Sequence, residues 1–200
     1  MKTTNEINIP TYSSSDLPDG KNPFETIDSH NLGQPPATWY PIRIDTVRNL
    51  LTGNSFHYTV SEIGPSVAIV AMDDDGYIFL VGQWRYTFGK YSWELPSGSA
   101  ADKENLRDAA KRELREETGL IADSWTKLGT VDNCNGATID EGHLFLATNL
   151  ALFPATPDPN EIIQRVRIPF SEAVSLVFSN RITESLSIAA ILKAKHLLNL

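Results

Sequence analysis

The feature that most constrains this chain is a stretch that begins at Gly98 and is closed by a second glycine, Gly119. Between the two glycines the sequence reads as one helix, which the second glycine should end. Glu113, Glu116 and Glu117 stand at positions i, i+3 and i+4, so their carboxylates project within a sector of roughly 100°. The sequence therefore predicts a cluster of three carboxylates near the end of this helix.

That carboxylate cluster works against helix stability. Like charges at i,i+4 repel, and carboxylates in the last turn face the negative end of the helix dipole, each at a cost of a few tenths to about 1 kcal/mol. A compensating cation is therefore expected. Lys111, Arg112 and Arg115 could be solvated partners, as on an acidic surface helix, but oxygen ligands at this spacing would equally suit Mg²⁺. The helix geometry alone leaves both interpretations open.

The same helix has the pattern expected of an element that docks on a sheet. An apolar stripe recurs at i, i+4 and i+8, formed by Leu106, Ala110 and Leu114. Asp102 precedes it and is the predicted N-cap, because its side chain can accept from the free amides of the first turn. Glu113 and Glu117 continue along an edge of the stripe. We therefore expect both carboxylates at the rim of a cleft, where screening is reduced.

The full spacing of this stretch matches every fixed position of the Nudix box. Gly98 is followed after five residues by Glu104, and after seven more by residues 112–120, Arg-Glu-Leu-Arg-Glu-Glu-Thr-Gly-Leu. The chain thus resembles the Nudix hydrolases, which cleave nucleoside diphosphates linked to another moiety. The resemblance implies an α/β/α sandwich with a small mixed sheet, in which Gly98, Glu104 and Gly119 are supporting positions.

The resemblance also implies roles for individual residues of the box. Glu113 and Glu117 are then the principal metal ligands, and Glu116 is a further ligand or orients a metal-bound water. Arg112 orients the neighbouring carboxylates rather than touching substrate. In relatives, the carbonyl of the residue before the box glycine is also a metal ligand, and Ser97 occupies that position here in place of the usual alanine. A backbone ligand should tolerate the change.

A segment upstream of the box indicates the kind of substrate. Gln83-Trp84-Arg85-Tyr86 resembles the Gln-x-Arg-Tyr segment of ADP-ribose and nucleotide-sugar Nudix enzymes, in which the arginine contacts substrate phosphate. The planar fork of arginine suits that task, since it can hydrogen-bond two phosphate oxygens. A structural ion pair is the alternative for Arg85, and the sequence does not decide between the two.

The chemistry follows from what a phosphoanhydride requires. Its oxygens are negatively charged and repel a water nucleophile, so two or three Mg²⁺ ions, or Mn²⁺ in their place, are expected to neutralise them and to activate water. In the ADP-ribose pyrophosphatase branch the general base is a glutamate on a loop beyond the box. Glu161 is the candidate here and Glu141 the alternative. Either one could instead be an ordinary solvated glutamate.

The substrate is less well defined than the reaction. The polar loop at residues 132–141 has Asn-Gly and no proline, whereas the ADP-ribose branch usually carries a marker proline there. The predicted reaction is hydrolysis of ADP-ribose or a nucleoside diphosphate sugar to a nucleoside monophosphate and a sugar phosphate. The alternatives are a nucleoside triphosphate pyrophosphohydrolase for pool cleaning and a non-catalytic Nudix module that binds nucleotide sugars.

The 200 residues divide into three parts by composition. Residues 1–36 are polar and interrupted by proline and glycine, which predicts loop or partial disorder unless a neighbour orders them. Residues 37–62 form a leading β segment, with strands predicted around Trp39 to Ile44 and Phe56 to Val60. By resemblance to the ADP-ribose branch, this segment contributes to a homodimer. Residues 63–200 form the Nudix domain.

Hydrophobic patterning predicts the remaining elements. Residues 67–72 are a nearly continuous apolar run, typical of a strand covered on both faces, and Asp73-Asp74-Asp75-Gly76 predicts a hairpin turn into a return strand at 77–84. Further strands are expected at 125–131, 142–150 and 162–168. Residues 170–178 and 185–198 are predicted to be helical.

Composition limits the partners and the compartment. The net charge of −8 argues against a broad nucleic-acid-binding surface, which would need a basic face. The single cysteine, Cys134, permits no intramolecular disulfide and has no neighbour that would suggest a zinc site. No apolar run is long enough for a signal peptide or a membrane helix. We expect a cytoplasmic enzyme with a small-molecule substrate.

Overall fold

The computed structural model describes residues 10–13, 15–16, 41–48, 54–154 and 162–200. Within these residues the chain forms nine strands, three α-helices and one short 3-10 helix at Tyr86–Phe88. The strands and α-helices are, in chain order, β1 (Ile42–Arg48), β2 (Ser55–Ser61), β3 (Ser66–Ala71), β4 (Tyr77–Arg85), β5 (Lys90–Glu94), β6 (Ser97–Ser99), α1 (Leu106–Thr118), β7 (Leu120–Asp132), β8 (Glu141–Leu152), β9 (Gln164–Pro169), α2 (Phe170–Phe178) and α3 (Ser185–Leu198).

The central sheet has the order β6-β3-β8-β7 and is mixed, because β3 pairs with β8 in parallel while the other pairs are antiparallel. Every residue of β3 is buried. Val67 and Ile69 belong to a core cluster shared with α1, whereas Ala68 and Val70 belong to a second cluster shared with α2 and α3. Helices on both faces of this sheet make the predicted α/β/α sandwich, and the prediction of a strand covered on both faces is confirmed.

A second sheet, of order β5-β4-β9, is antiparallel throughout. The turn predicted before β4 is present, since the Gly76 amide donates to the Asp73 carbonyl at 3.1 Å. The prediction that β3 and β4 pair with each other as a hairpin is wrong, because a single bridge between Met72 and Ile78 is all that joins them. Both edges of β3 are already paired, with β6 and β8, so β4 has no edge to occupy and enters the second sheet instead.

The two C-terminal helices lie at the predicted residues. Buried side chains of α2 and α3 complete the core cluster on one face of the central sheet. Glu184 is the N-cap of α3, and its carboxylate accepts from the amides of Leu186 and Ser187 at 2.8 and 2.6 Å. Among the described residues, no helix combines the length and the apolar character needed to cross a membrane.

The N-terminal strands stand apart from both sheets. β1 and β2 pair only with each other along their length, and the Ser61 amide ties them to the Ala137 carbonyl at 2.9 Å. The predicted strand residues Trp39 and Tyr40 lie outside the described residues, as does Gly53 of the predicted turn. Most of the polar segment 1–36 also lies outside them. Its described part includes Thr11, which forms a bridge with Arg167 of β9.

Candidate active site

The carboxylate-bearing helix begins three residues later than the sequence suggested. Asn105, not Asp102, is its N-cap, and the Asn105 side chain accepts from the Arg107 amide at 3.0 Å. Lys103 has a left-handed φ of 62°, which a helix cannot include, so α1 cannot start before it. The end of the helix is as predicted, because Gly119 adopts φ 73° and its amide donates to the carbonyl of Arg115.

The short strand β6 holds the box glycine directly against the helix. A Cβ atom at Gly98 would lie 2.2 Å from Oε1 of Glu113, so only glycine leaves the space that this carboxylate occupies. The Ser97 amide donates to Oε2 of Glu117 at 2.8 Å. Glu117 is only 3% exposed, which places it deeper than the predicted rim position. β6 therefore leaves room for the Glu113 carboxylate and binds the Glu117 carboxylate through one backbone amide.

Arg112 is the basic residue of the helix that contacts the carboxylate cluster. Its Nη1 donates to Glu113 Oε1 at 2.6 Å and to Glu116 Oε2 at 3.1 Å, and its Nε donates to Glu104 Oε1 at 3.1 Å. A further bond joins Nη2 to the carbonyl of Ser99. The Glu104 hydrogen bond is the largest influence that raises the Arg112 pKa, and the same bond holds the pKa of Glu104 below its usual range.

The other two basic residues have different partners. Lys111 pairs with Asp108 at 2.9 Å on the exposed side of the helix, and the Arg115 guanidinium lies 6.0 Å from the ring centre of Phe153. Among Lys111, Arg112 and Arg115, only the partly buried Arg112 compensates the cluster, so the compensation is not that of a solvated face.

The oxygen donors near Glu113 fit a hard divalent cation by their chemistry. In the described part of the chain, no three acidic, histidine or cysteine side chains already converge as a metal site does. The Arg112 guanidinium occupies part of the space between the carboxylates of Glu113 and Glu116, since it donates to both. Glu113 and Glu117 nonetheless line the same cleft as Ser97, and the missing Cβ at Gly98 makes room there for the Glu113 carboxylate. Carboxylate and carbonyl oxygens are the donors that Mg²⁺ or Mn²⁺ prefers.

Arg85 forms the opposite wall of the cleft. Its Nε donates to Glu94 Oε1 at 2.9 Å, and its Nη2 donates to the second oxygen of the same carboxylate. Glu94 is 1% exposed, whereas the Arg85 side chain is 40% exposed and reaches the cleft. The hydrogen bond to Glu94 is the main influence that raises the pKa of Arg85. The ion-pair alternative is thus realised, and it orients the guanidinium without withdrawing it from the cleft.

Glu94 is a site residue that the sequence reasoning missed. It lies between Trp93 and Leu95, both buried, and a carboxylate inside such an apolar run signals a partner charge. That signal could have identified the pair with Arg85 before the structure was known.

The third wall comes from the loop before β8 and the start of α3. Asp140 accepts from the Ser66 hydroxyl at 2.8 Å and from the Asn133 amide at 3.1 Å. Ser185 donates to the Asn133 side-chain oxygen at 3.0 Å, next to Glu184 at the helix cap. Two adjoining cavities of about 600 and 680 Å³ share Arg85, Asp140 and Glu184, so this network and the carboxylate cluster face one continuous cleft.

Of the two candidates for the general base, Glu141 is not part of this wall. Glu141 lies 3.4 Å from Nε2 of His143, its side chain is 54% exposed, and it is not among the residues that line the cleft. Glu161 lies outside the described residues. The adjacent Asp140, which the sequence analysis did not single out within its polar loop, does line the cleft.

Comparison with known proteins gives one consistent family. A family model described as the NUDIX domain matches residues 62–186. The chain is 36% identical over 174 residues to an ADP-ribose pyrophosphatase of Mycobacterium tuberculosis, across 84% of this chain and 82% of that protein. It is 30% identical over 128 residues to an ADP-ribose pyrophosphatase of Bacillus subtilis, across 63% and 69%. The fold matches the crystal structure of an ADP compounds hydrolase with a TM-score of 0.68, at 20% identity, over 83% of this chain and 97% of that one.

Proposed function

The chain belongs to the NUDIX family and is a Nudix hydrolase, and we propose that it hydrolyses the pyrophosphate bond of ADP-ribose or a related nucleoside diphosphate sugar. The products are a nucleoside monophosphate and a sugar phosphate. The single observation that carries the proposal is the cleft in which Glu113, Glu117 and Ser97 face Arg85. The two similar pyrophosphatases support ADP-ribose as the first substrate to test.

Members of this family generally need divalent cations, and we propose Mg²⁺ here, two or three ions with substrate and with Mn²⁺ as a substitute. Glu113, Glu117 and the carbonyl of Ser97 would hold them, and Glu116 would ligate or orient water once it is released from Arg112. When bound, the cations offset the negative charge of the phosphate oxygens and of the glutamates and activate a water molecule.

The chain's own residues supply the remaining steps. Arg85 would bind phosphate oxygens with the part of its guanidinium that faces the cleft, while Glu94 keeps the guanidinium plane fixed. Because both groups are held by the fold before substrate arrives, little reorganisation is needed as charge develops on the leaving phosphate. Glu161, on the segment between β8 and β9, would take the proton from water, and Glu141 is the alternative.

The third wall favours a sugar over a further phosphate. Asp140 and Glu184 bring two carboxylates to the cleft, and Asn133 and Ser185 add neutral polar groups. Carboxylates and amides accept hydrogen bonds from sugar hydroxyls, whereas a third phosphate at this position would meet two like charges. This arrangement supports a nucleoside diphosphate sugar over a nucleoside triphosphate, while the proline-free loop leaves sugars other than ribose open.

We also propose a cytoplasmic homodimer in which residues 37–62 join the two copies and residues 63–200 form the catalytic domain. A two-stranded hairpin is marginal on its own in water, yet β1 and β2 pair along their length only with each other. Ile42 and Ile44 alternate along one face of β1 and are exposed, which suits a surface that a second copy covers. Light scattering of Ile44→Asp should then give a smaller mass than the wild type.

The decisive experiment is a hydrolysis panel with Mg²⁺ and with Mn²⁺, in which the phosphorylated products are identified. ADP-ribose, GDP-mannose and other nucleotide sugars are compared with nucleoside triphosphates. A nucleoside monophosphate and a sugar phosphate are expected, and release of pyrophosphate from triphosphates would instead indicate pool cleaning. Glu117→Gln should abolish hydrolysis, and unchanged activity in that variant would refute the mechanism and leave the non-catalytic alternative.

The general base is tested separately. Glu161→Gln should lower kcat by about 10²- to 10⁴-fold, the usual contribution of a general base. Glu141→Gln is the matched comparison, and a large loss in that variant alone would assign the base to Glu141.

A further inference from the structure

Arg165 reaches from β9 to the end of the carboxylate-bearing helix. It lies opposite Val81 in the β4–β9 pair, and its side chain is partly buried. Its Nε donates to the backbone carbonyl of Glu117, and its Nη2 lies 3.4 Å from the carbonyl of Glu116. One arginine from outside the Nudix box therefore binds the peptide groups of two of the three glutamates in the cluster.

The last turn of α1 needs such a partner. The final four carbonyls of a helix have no amide of their own helix to bind, and together they form its negative end. The Gly119 amide satisfies the carbonyl of Arg115, one turn back. Glu116 and Glu117 add two carboxylates to the same turn. Arg165 therefore brings a positive charge to the place where the helix concentrates negative charge.

The partly buried position of Arg165 has a desolvation cost. Burial lowers the pKa of Arg165 below its ordinary value, and the charge of Glu117 opposes that change. Arginine stays protonated at neutral pH even so. An exposed position on β9 would avoid the desolvation cost, so the contact with α1 must compensate for it.

Arg165 also joins the two walls of the cleft. β9 pairs with β4, the strand that ends at Arg85, whereas α1 packs on the central sheet. The contact therefore ties the backbone of Glu116 and Glu117 to the sheet that carries Arg85. We propose that Arg165 is a positioning residue that fixes the two glutamates relative to Arg85 and thereby sets the affinity of the site for a divalent cation. This inference rests on the metal site of the proposed function.

The sign of the effect separates positioning from simple electrostatics. Removal of a positive charge near Glu117 would by Coulomb's law alone tighten cation binding. Loss of the backbone contact would instead let the last turn move and weaken it. Groups that orient metal ligands typically change metal affinity by about 10- to 100-fold when they are removed. We therefore expect Arg165→Met to raise the Mn²⁺ dissociation constant by about tenfold or more.

Arg167 provides a matched control two residues along the same strand. It donates from Nε to Asp73 at 2.6 Å and from Nη2 to Asp75 at 2.9 Å, at the turn between β3 and β4. Arg167→Met removes a second partly buried arginine of the same strand together with its two ion pairs, but no hydrogen bond to α1. It should lower the thermal midpoint and leave the Mn²⁺ dissociation constant within about twofold of the wild-type value.

The test measures Mn²⁺ binding to the full chain without substrate, from the electron paramagnetic resonance signal of the free ion, together with thermal unfolding. Arg165→Lys keeps the positive charge but lacks the planar guanidinium that donates to two carbonyls, so it should weaken Mn²⁺ binding by a smaller factor than Arg165→Met. If Arg165→Met does not fold, Arg165→Lys is the variant on which Mn²⁺ binding is measured. Unchanged or tighter Mn²⁺ binding in the folded Arg165 variants would overturn the inference. A wild-type chain that binds no Mn²⁺ would instead refute the proposed metal site.

Discussion

The substitution Gly98→Ala tests how closely β6 controls the position of the Glu113 carboxylate, which we propose as a metal ligand. A Cβ at this position would lie 2.2 Å from Oε1 and 2.3 Å from Cδ of Glu113, whereas ordinary contacts begin at 3.4 Å. The carboxylate must therefore move by about 1.2 Å. Gly98 does not have a left-handed φ, so alanine introduces no backbone strain and the displacement of Glu113 is the main effect.

The expected loss is in activity rather than in stability. Displacement of a catalytic group by about 1 Å can reduce the rate by about 10²-fold, so kcat/KM for the best substrate of the panel should fall by roughly that factor. The free energy of unfolding should change by less than about 1 kcal/mol, because the rotamer strain at Glu113 is offset by the smaller entropy of the unfolded alanine chain. Steady-state kinetics across a Mg²⁺ titration and urea unfolding measure the two quantities.

Gly136→Ala is the control for this prediction. A Cβ at Gly136 meets nothing within 4 Å, and its φ is not left-handed, so the same chemical change should be silent in both assays. If Gly98→Ala keeps kcat/KM within about twofold of the wild type, the position of the Glu113 carboxylate does not limit the reaction. The assignment of Glu113 as a principal ligand would then be refuted.

Three further predictions concern the cap, the buried acid and the pH dependence. Asn105→Ala should lower the free energy of unfolding by about 1 kcal/mol, because it removes the N-cap of α1. Asp102→Ala is the control and should change it by less than about 0.5 kcal/mol. Equal effects of the two variants in urea unfolding would contradict Asn105 as the N-cap. Glu94→Gln should raise KM by about tenfold with a smaller change in kcat, because Arg85 loses the buried charge that orients it, and an unchanged KM would argue against that role. Burial lowers the pKa of His143 below its ordinary value of 6.5. Just below that pH the unfolded chain therefore binds more protons than the folded chain. The free energy of unfolding should thus fall as the pH drops from about 6.5 through the folded-state pKa. Urea titrations should show a shallower fall in His143→Gln, and an identical pH dependence would contradict the assignment.

The sequence by itself determined the elements whose signals are local. The helix that ends at Gly119 follows from the position of the glycine and from the periodicity before it. The buried strand β3 follows from an unbroken apolar run, and the bounds of α2 and α3 follow from their apolar periodicity. Side chains within one helix or strand have directions fixed by the backbone repeat, so the carboxylate cluster could also be placed on one face.

Only the tertiary structure decided which of those groups meet. The contact of Arg165 with the end of α1 spans 48 residues, and the hydrogen bond between Ser66 and Asp140 spans 74. The split of β3 and β4 into two sheets depended on β6 and β8 having taken both edges of β3. A local sequence pattern predicts which face of a strand or helix a residue lies on, but not which other element packs against that face. The pairing of elements depends on which strand edges are free and on which side chains fit together in the core. The sequence of the box thus placed the three carboxylates on one helix face, and the fold decided which groups hold them there.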